Sequence, residues 1–361
     1  MTDQKVSENS TKKEGFFTVR ISVVDELVKR GAAAEELATY LVLARGAGKG
    51  KETIWGANSC SKYTGMTYYR AKQAIEWLEQ QGIITKKSQK EWSLNLDADE
   101  DGVALSNALI EGVGAGKNNP PLARLETIRH CSHGMAEAKL DTLMVLIHLY
   151  RHHLLADCGG VNPRAGIYRE WQPAENSYGT TQIDLIGSSA ALYEIQGSNK
   201  IVSTKFIAES LFYIDDEAER HERFWDAFNN LKELRWLYEV TQVWSADPHQ
   251  DSRAEPLYTL YVHDLSSRDT DPYLSRAIHE AALKTYSMDA YAEFNPHEQD
   301  DSNIIKTGRF RYVASKKRGG FPIGIYRLKF RAWTADNGIG MQREQKNVKR
   351  WSDSLSAISS Q

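Results

Sequence analysis

From Asn58 to Leu96 the chain reads NSCSKYTGMTYYRAKQAIEWLEQQGIITKKSQKEWSLNL, a pattern that few folds can accommodate. Ala71, Ala74, Ile75 and Leu78 recur at three- and four-residue spacing, which makes one apolar stripe on a helix. Thr67 is placed as its N-cap, the hydroxyl accepting a free backbone N–H. The helix runs to about Gln81, and Gly82 ends it at the C′ position. Ahead of it, Asn58 to Tyr63 forms a shorter helix and Thr64-Gly65-Met66 a tight turn. Thr53 to Gly56 supplies a short strand before that pair. Behind it, Ile83 to Lys87 and Glu91 to Leu96 form a hairpin with Ser88-Gln89 at the tip.

The stripe leaves Tyr68, Tyr69, Arg70, Lys72 and Gln73 outside, near the Thr67 end of the helix. Lys86, Lys87 and Lys90 place positive charge at the hairpin tip. Helix, turn, helix and hairpin in this order resemble the helix-turn-helix and wing of the winged-helix superfamily. The resemblance implies that the helix lies in a DNA major groove, its outward side chains meeting phosphates and base edges. It also implies that the hairpin lysines meet the backbone or minor groove. Glu76 and Glu79 dilute the charge further along the helix, and a winged helix kept as a protein-binding scaffold is the competing expectation.

Taken in order, residues 1–14 are polar and read as a disordered tail, and 15–96 as the first domain. Gly15 to Leu27 is β-branched and aromatic and is expected to enter as an extended segment. Leu37, Tyr40, Leu41 and Ala44 mark a helix that Gly46, Gly48 and Gly50 end. Residues 97–121, acidic and then rich in glycine, asparagine and proline, read as a linker with a short helix at Val103 to Ile110. Residues 122–265 read as a second, decorated winged-helix-like domain. Its parts are an apolar helix at Ala138 to Leu155 and an inserted hairpin over the next forty or so residues. A helix follows at Ser203 to Phe212, then a longer one at Asp215 to Leu237 with Phe224, Phe228, Leu231, Leu234 and Leu237 inward. Two alternating strands, Tyr238 to Trp244 and Leu257 to Val262, close it. The longer helix opens DDEAERHE, and Asp247, Asp251 and Glu255 fall in the loop between the strands. Acidic residues suit a helix N-terminus but repel phosphate, so this domain is expected to contact protein, including a second copy of itself.

Residues 266–361 read as a C-terminal basic α/β region. Asp271 to Phe294 is expected to be helical. From Lys306 to Arg331 there is no Asp or Glu, and Arg309 and Arg311 alternate with Phe310 and Tyr312. Arg327, Lys329 and Arg331 likewise oppose Tyr326, Leu328 and Phe330. With Lys316, Lys317 and Arg318 at the turn, a hairpin would bury its aromatics and present its cations as one phosphate-matching surface. The tail from Gln342 to Ile358 reads as an amphipathic helix.

The fold class expected is therefore α+β: tandem winged-helix domains, each a three-helix core with a β-hairpin wing, followed by a basic hairpin and helix. The net charge of −3 means that any nucleic-acid surface must come from local segregation of charge. Three scattered cysteines, with no CxxC pair, argue against a structural zinc or a disulfide framework. His148 and His152 sit one helical turn apart, but no carboxylate partner accompanies them, and no metal site is assigned. Neither ARGAGKGKET nor EGVGAGKNNPP makes a phosphate loop. Before Gly116-Lys117 the required glycine is Glu111, and Asn118 stands where a hydroxyl is needed. No apolar run reaches the length of a membrane span, and with no signal-like segment a reduced cytosolic compartment is expected.

These residues point to a non-enzymatic, sequence-specific protein of double-stranded DNA, a transcription regulator or replication initiator acting as a dimer, with no cofactor. The tandem layout resembles plasmid replication initiators and mobile-element regulators. It is also similar to the architectural tandem winged-helix subunits of chromosome-organising complexes, which act through a protein partner.

Overall fold

The computed structural model describes residues 15–48, 50–94, 102–112, 120–154, 160–173, 182–185, 188–201, 212–260, 290–294, 310–315 and 321–330. It is a mixed α+β chain with antiparallel sheets. Two units are distinguished: Met1–Ile147 with Phe330–Trp333, and His148–Lys329 with Thr334–Gln361. The division falls inside a helix, after Ile147, and not in 97–121.

Unit 1 begins with β1 (Phe16–Arg20) and α1 (Ile21–Lys29). The expected extended segment thus changes state at Ile21, because Ile21, Val24 and Leu27 are spaced by three and all are buried on one helical face. Next come α2 (Ala34–Ala47), β2 (Glu52–Thr53), α3 (Ala57–Thr64), α4 (Tyr68–Gln80), β3 (Ile84–Ser88) and β4 (Glu91–Leu94). Strands β2, β4 and β3 form a three-stranded antiparallel sheet in that order. The stripe of α4 is as expected, Ala71, Ala74, Ile75 and Leu78 all being buried.

The stretch read as a linker is part of this unit. β5 (Gly102–Ser106) pairs antiparallel with β1, in register from Phe16↔Ser106 to Arg20↔Gly102. α5 (Asn107–Glu111) follows, with the Ser106 hydroxyl accepting from the Ala108 N–H at 3.2 Å. Val103, Leu105, Leu109 and Ile110 are buried, so apolar spacing prevails over the loop-like composition on either side. A 3-10 helix (Pro121–Thr127) then packs on α3, close enough that a Cβ on Gly65 would lie 3.0 Å from the Ala123 Cβ. α6 (Met135–Arg151) is buried at every position from 141 to 150.

Unit 2 is built on an eight-stranded sheet. Its strands are β8 (Ile167–Pro173), β9 (Gln182–Leu185), β10 (Ser188–Ile201), β11 (Leu237–Trp244), β12 (Pro256–Leu260), β13 (Ala290–Phe294), β14 (Phe310–Ser315) and β15 (Phe321–Leu328). The order is β12-β11-β15-β8-β10-β14-β13, with β9 against β10. A separate two-stranded sheet joins β6 (His153–Leu154) to β7 (Gly160–Val161). α7 (Glu217–Glu233) lays Phe224, Ala227, Phe228 and Leu231 inward, and Phe228 meets the Tyr326 ring edge-on at 4.9 Å.

Three expectations are corrected here. The C-terminal region is not a unit apart, since β13, β14 and β15 interleave with β8, β10 and β11 in one sheet. Residues 290–294, read as the end of a helix, are strand. The basic hairpin is not formed either, because β8 and β10 stand between β14 and β15. Local alternation fixed the strand state of both segments but could not select their neighbours, which lie far away in sequence. The tail 1–14, the helix from Ser203, residues 271–289, the turn of the expected hairpin and the helix at 342–358 lie outside the described residues.

Candidate nucleic-acid interface

Thr67 caps α4 as the sequence predicts, its hydroxyl accepting from the Arg70 N–H at 3.3 Å. The turn ahead of it is locked by its own side chains. The Thr64 hydroxyl donates to the Cys60 carbonyl at 2.6 Å, and the Ser61 hydroxyl donates to the Met66 carbonyl at 2.7 Å. Gly65, with φ of +75°, takes the left-handed conformation that ends α3. Burial pushes the Cys60 thiol up to about 12, so it is a packing residue and not a nucleophile.

With one face of α4 spent on the core, the other is open. Tyr68 and Tyr69 are 55% and 67% exposed, and Arg70, Lys72 and Gln73 are exposed beside them. Two of the cations are engaged within the unit. An Arg70 Nη2 donates to the Glu35 carboxylate at the start of α2, and Lys72 lies 3.5 Å from Glu76 one turn on.

Strand β3 runs one residue further than the sequence suggests, to Ser88, and Gln89-Lys90 makes the turn. The ladder shifts register between Lys86 and Ser88, so Lys87 is the extra residue of a bulge. Ile84 and Leu94 anchor the hairpin in the core, whereas Lys86, Lys87 and Lys90 are all exposed. Lys86 stands opposite Trp92 and lies 5.6 Å from its ring centroid. Trp55 stacks on Tyr63 at 5.0 Å, and Lys62 lies over the same tyrosine. Trp55 also lies against the backbone of α2 at Gly46, where a Cβ would come 2.6 Å from its Cγ. Helix α4 and the basic hairpin are thus carried on one sheet and one core.

The C-terminal cations divide differently. Arg327 is only 1% exposed, so it cannot belong to an open arginine row. Its strand is covered on both faces: Tyr326 and Leu328 pack toward α7, while Ile323 and Ile325, on the same side as Arg327, cluster with Trp244 and Ala254. Gly160 of β7 lies over the Arg327 stem, and a Cβ there would be 3.6 Å from its Cγ. Lys329 is exposed. Arg311 is the register partner of Glu194 on one side and Glu293 on the other. Arg309, Lys316, Lys317, Arg318 and Arg331 lie outside the described residues.

The loop between β11 and β12 is not a free wing. The Arg164 guanidinium donates to the carbonyls of Pro248 and Ala254 at 3.1 and 2.6 Å, and Tyr168 stacks on His249 at 4.2 Å. Among the described residues no group of three or more His, Cys, Asp or Glu side chains is placed to hold a metal ion. Nor is any helix there long and apolar enough to cross a membrane.

The sequence reading missed Glu35, which lies 35 residues before its partner and carries no signal beyond being an acid in the first turn of a helix. It also missed the Trp55–Tyr63 stack beneath the hairpin, which has no short-range spacing to betray it. The chain matches no family model, no curated protein sequence and no solved structure.

Proposed function

We propose that the chain is a sequence-specific double-stranded DNA-binding protein, a regulator of transcription or an initiator of replication acting as a homodimer, and that unit 1 is its winged-helix reading module. The observation that carries this is the division of α4. The same two turns that bury Ala71, Ala74 and Ile75 expose Tyr68, Tyr69, Arg70, Lys72 and Gln73, next to a hairpin whose distal residues are lysines. The order α2-β2-α3-α4-β3-β4, with β2 added to the hairpin as a third strand, supports this reading. Such a helix fits the major groove, where guanidinium, amide and phenol groups meet base edges and phosphates.

The test is duplex binding as a function of salt. The logarithm of the binding constant should fall with log salt at roughly 0.9 per phosphate neutralised, and Lys86→Ala with Lys87→Ala and Lys90→Ala should flatten that slope. Replacing Arg70 and Lys72 should weaken cognate sites most. Purified protein without salt-sensitive duplex binding would end this reading. Arg327 is withdrawn from the phosphate surface by its burial, which leaves the wing as the main described source of sequence-independent affinity.

A second reading, an architectural subunit acting through a protein partner, is favoured by the intrachain pairing of Arg70 and Lys72 and by exposed Ile54, Tyr68 and Tyr69. Co-purification of a stoichiometric partner, with duplex affinity no better than the partner's own, would support it.

A further inference from the structure

Arg70 occupies the third position of α4, where the positive end of the helix dipole disfavours a cation. It is held there by Glu35, from the first turn of α2. The two partners are unequally placed. The Glu35 side chain is 23% exposed and the Arg70 side chain 51% exposed, so the carboxylate is the seated partner and the guanidinium the presented one. Glu35 is not required to cap its own helix, because Glu36 accepts from the Ala33 N–H at 2.8 Å and fills that role. Its carboxylate therefore reaches sideways to α4.

A guanidinium carries five N–H donors in a rigid fork. One Nη2 directed at Glu35 restrains the direction of the group and leaves its other donors available at the surface. An unheld arginine at this place would swing to whichever phosphate was nearest, because phosphates are the strongest and most numerous acceptors on a duplex. A held one has a fixed direction, and the Glu35 charge beside it opposes phosphate.

We infer that Glu35 is a positioning residue that sets the base preference of α4, holding Arg70 for a planar pair of acceptors, the O6/N7 edge of guanine, and against phosphate. This rests on the reading of α4 as the duplex-contacting helix. Removing the charge, as in Glu35→Gln, should leave or raise affinity for arbitrary duplex while collapsing the preference at one base position.

The experiment is enrichment from a randomised duplex library by the full-length chain, with circular dichroism confirming the fold of each variant. The wild type should enrich sites with guanine at a position where Arg70→Ala shows no preference. Glu35→Gln should lose about tenfold of discrimination there and nowhere else, with arbitrary-duplex affinity equal or greater. The double variant should be no worse than Arg70→Ala. Glu35→Asp, which keeps the charge with a shorter reach, should rank between wild type and Glu35→Gln, and it serves as the second probe should Glu35→Gln fail to fold. A merely structural Glu35 would lower binding to all sequences alike. That result, or an unchanged preference in Glu35→Gln, overturns the inference while duplex binding stands. A wild type that binds no duplex overturns the underlying reading as well.

Discussion

Units 1 and 2 both contain basic strands, and they treat their cations in opposite ways. In unit 1 the hairpin leaves the core after Ile84, and Lys86, Lys87 and Lys90 project into solvent. In unit 2 the alternating segment becomes an inner strand of an eight-stranded sheet, and Arg327 is enclosed. Alternation specifies two faces but not whether one or both are covered. The deciding feature is what lies on the far face. At Lys86 there is a single tryptophan, whereas at Arg327 there are two isoleucines, a strand and a clamped loop.

The sharpest way to break this contrast is to remove one cation from each place. Arg327→Ala should cost about 3–5 kcal/mol, since it empties a packed site and strands whatever acceptor the guanidinium satisfies. Lys86→Ala and Lys87→Ala should each stay within about 0.5 kcal/mol, as exposed substitutions do. Urea unfolding midpoints at a common slope decide the matter. An Arg327→Ala variant as stable as the lysine variants would put that arginine on the surface and restore the expectation of an open cationic row.

Next in size is a glycine on α2 of unit 1. At Gly46 a Cβ would sit 2.6 Å from Trp55 Cγ and 2.8 Å from its Cδ2, and closer still to the Thr53 hydroxyl oxygen. Alanine gains up to about 1 kcal/mol in helix propensity, but overpacking costs roughly 1–3 kcal/mol. Because the obstacles are the hydroxyl of buried Thr53 and a ring stacked on Tyr63, the clash should win, leaving Gly46→Ala about 1–2 kcal/mol less stable in thermal unfolding. A stabilised variant would show that the Thr53 and Trp55 side chains are free to move.

A smaller effect compares two helix caps, one from each unit. Asp216 Oδ1 accepts from the Ala218 and Glu219 N–H groups at 2.8 and 3.1 Å, while Thr67 accepts once at 3.3 Å. Asp216→Ala should cost about 1–2 kcal/mol and Thr67→Ala about 0.5–1 kcal/mol. Equal losses would mean that hydrogen-bond number does not rank these caps.

What the sequence disclosed follows the range of the interactions involved. The cap at Thr67, the stripe of α4, the turn at Gly65 and the exposure of the hairpin lysines rest on contacts a few residues apart, so spacing alone reveals them. The inward face of α7 is equally local. Where the outcome depended on distant pairing, reading failed: β1 finds β5 some 85 residues on, and β14 and β15 are parted by β8 and β10. Yet one signal for Arg327 was present. In FPIGIYRLKF the isoleucines fall on the arginine side, and apolar residues on both faces of a strand mark two-sided burial. The Glu35–Arg70 pair carried no comparable mark.

The smallest effect concerns acid, and it bears on the end of α6, in unit 2. Burial, and then the neighbouring Arg151 charge, lower the His152 pKa below its ordinary value of 6.5. In the unfolded chain the ordinary value returns, so below about pH 6.5 the unfolded state binds more protons than the folded one. Stability present at neutral pH is therefore lost as pH falls toward the depressed folded value, where the native state must accept a cation beside a cation. His152→Gln removes this dependence without adding charge. Its urea midpoint should fall less than that of the wild type between pH 7.5 and about pH 5, the two curves converging above the ordinary histidine range. The lysine-bearing hairpin offers the control, since Lys86→Ala lies in unit 1, outside the unit that holds the imidazole, and should track the wild type. Parallel curves for wild type and His152→Gln would place the imidazole in water, and the acid sensitivity of unit 2 would have to arise elsewhere in its sheet.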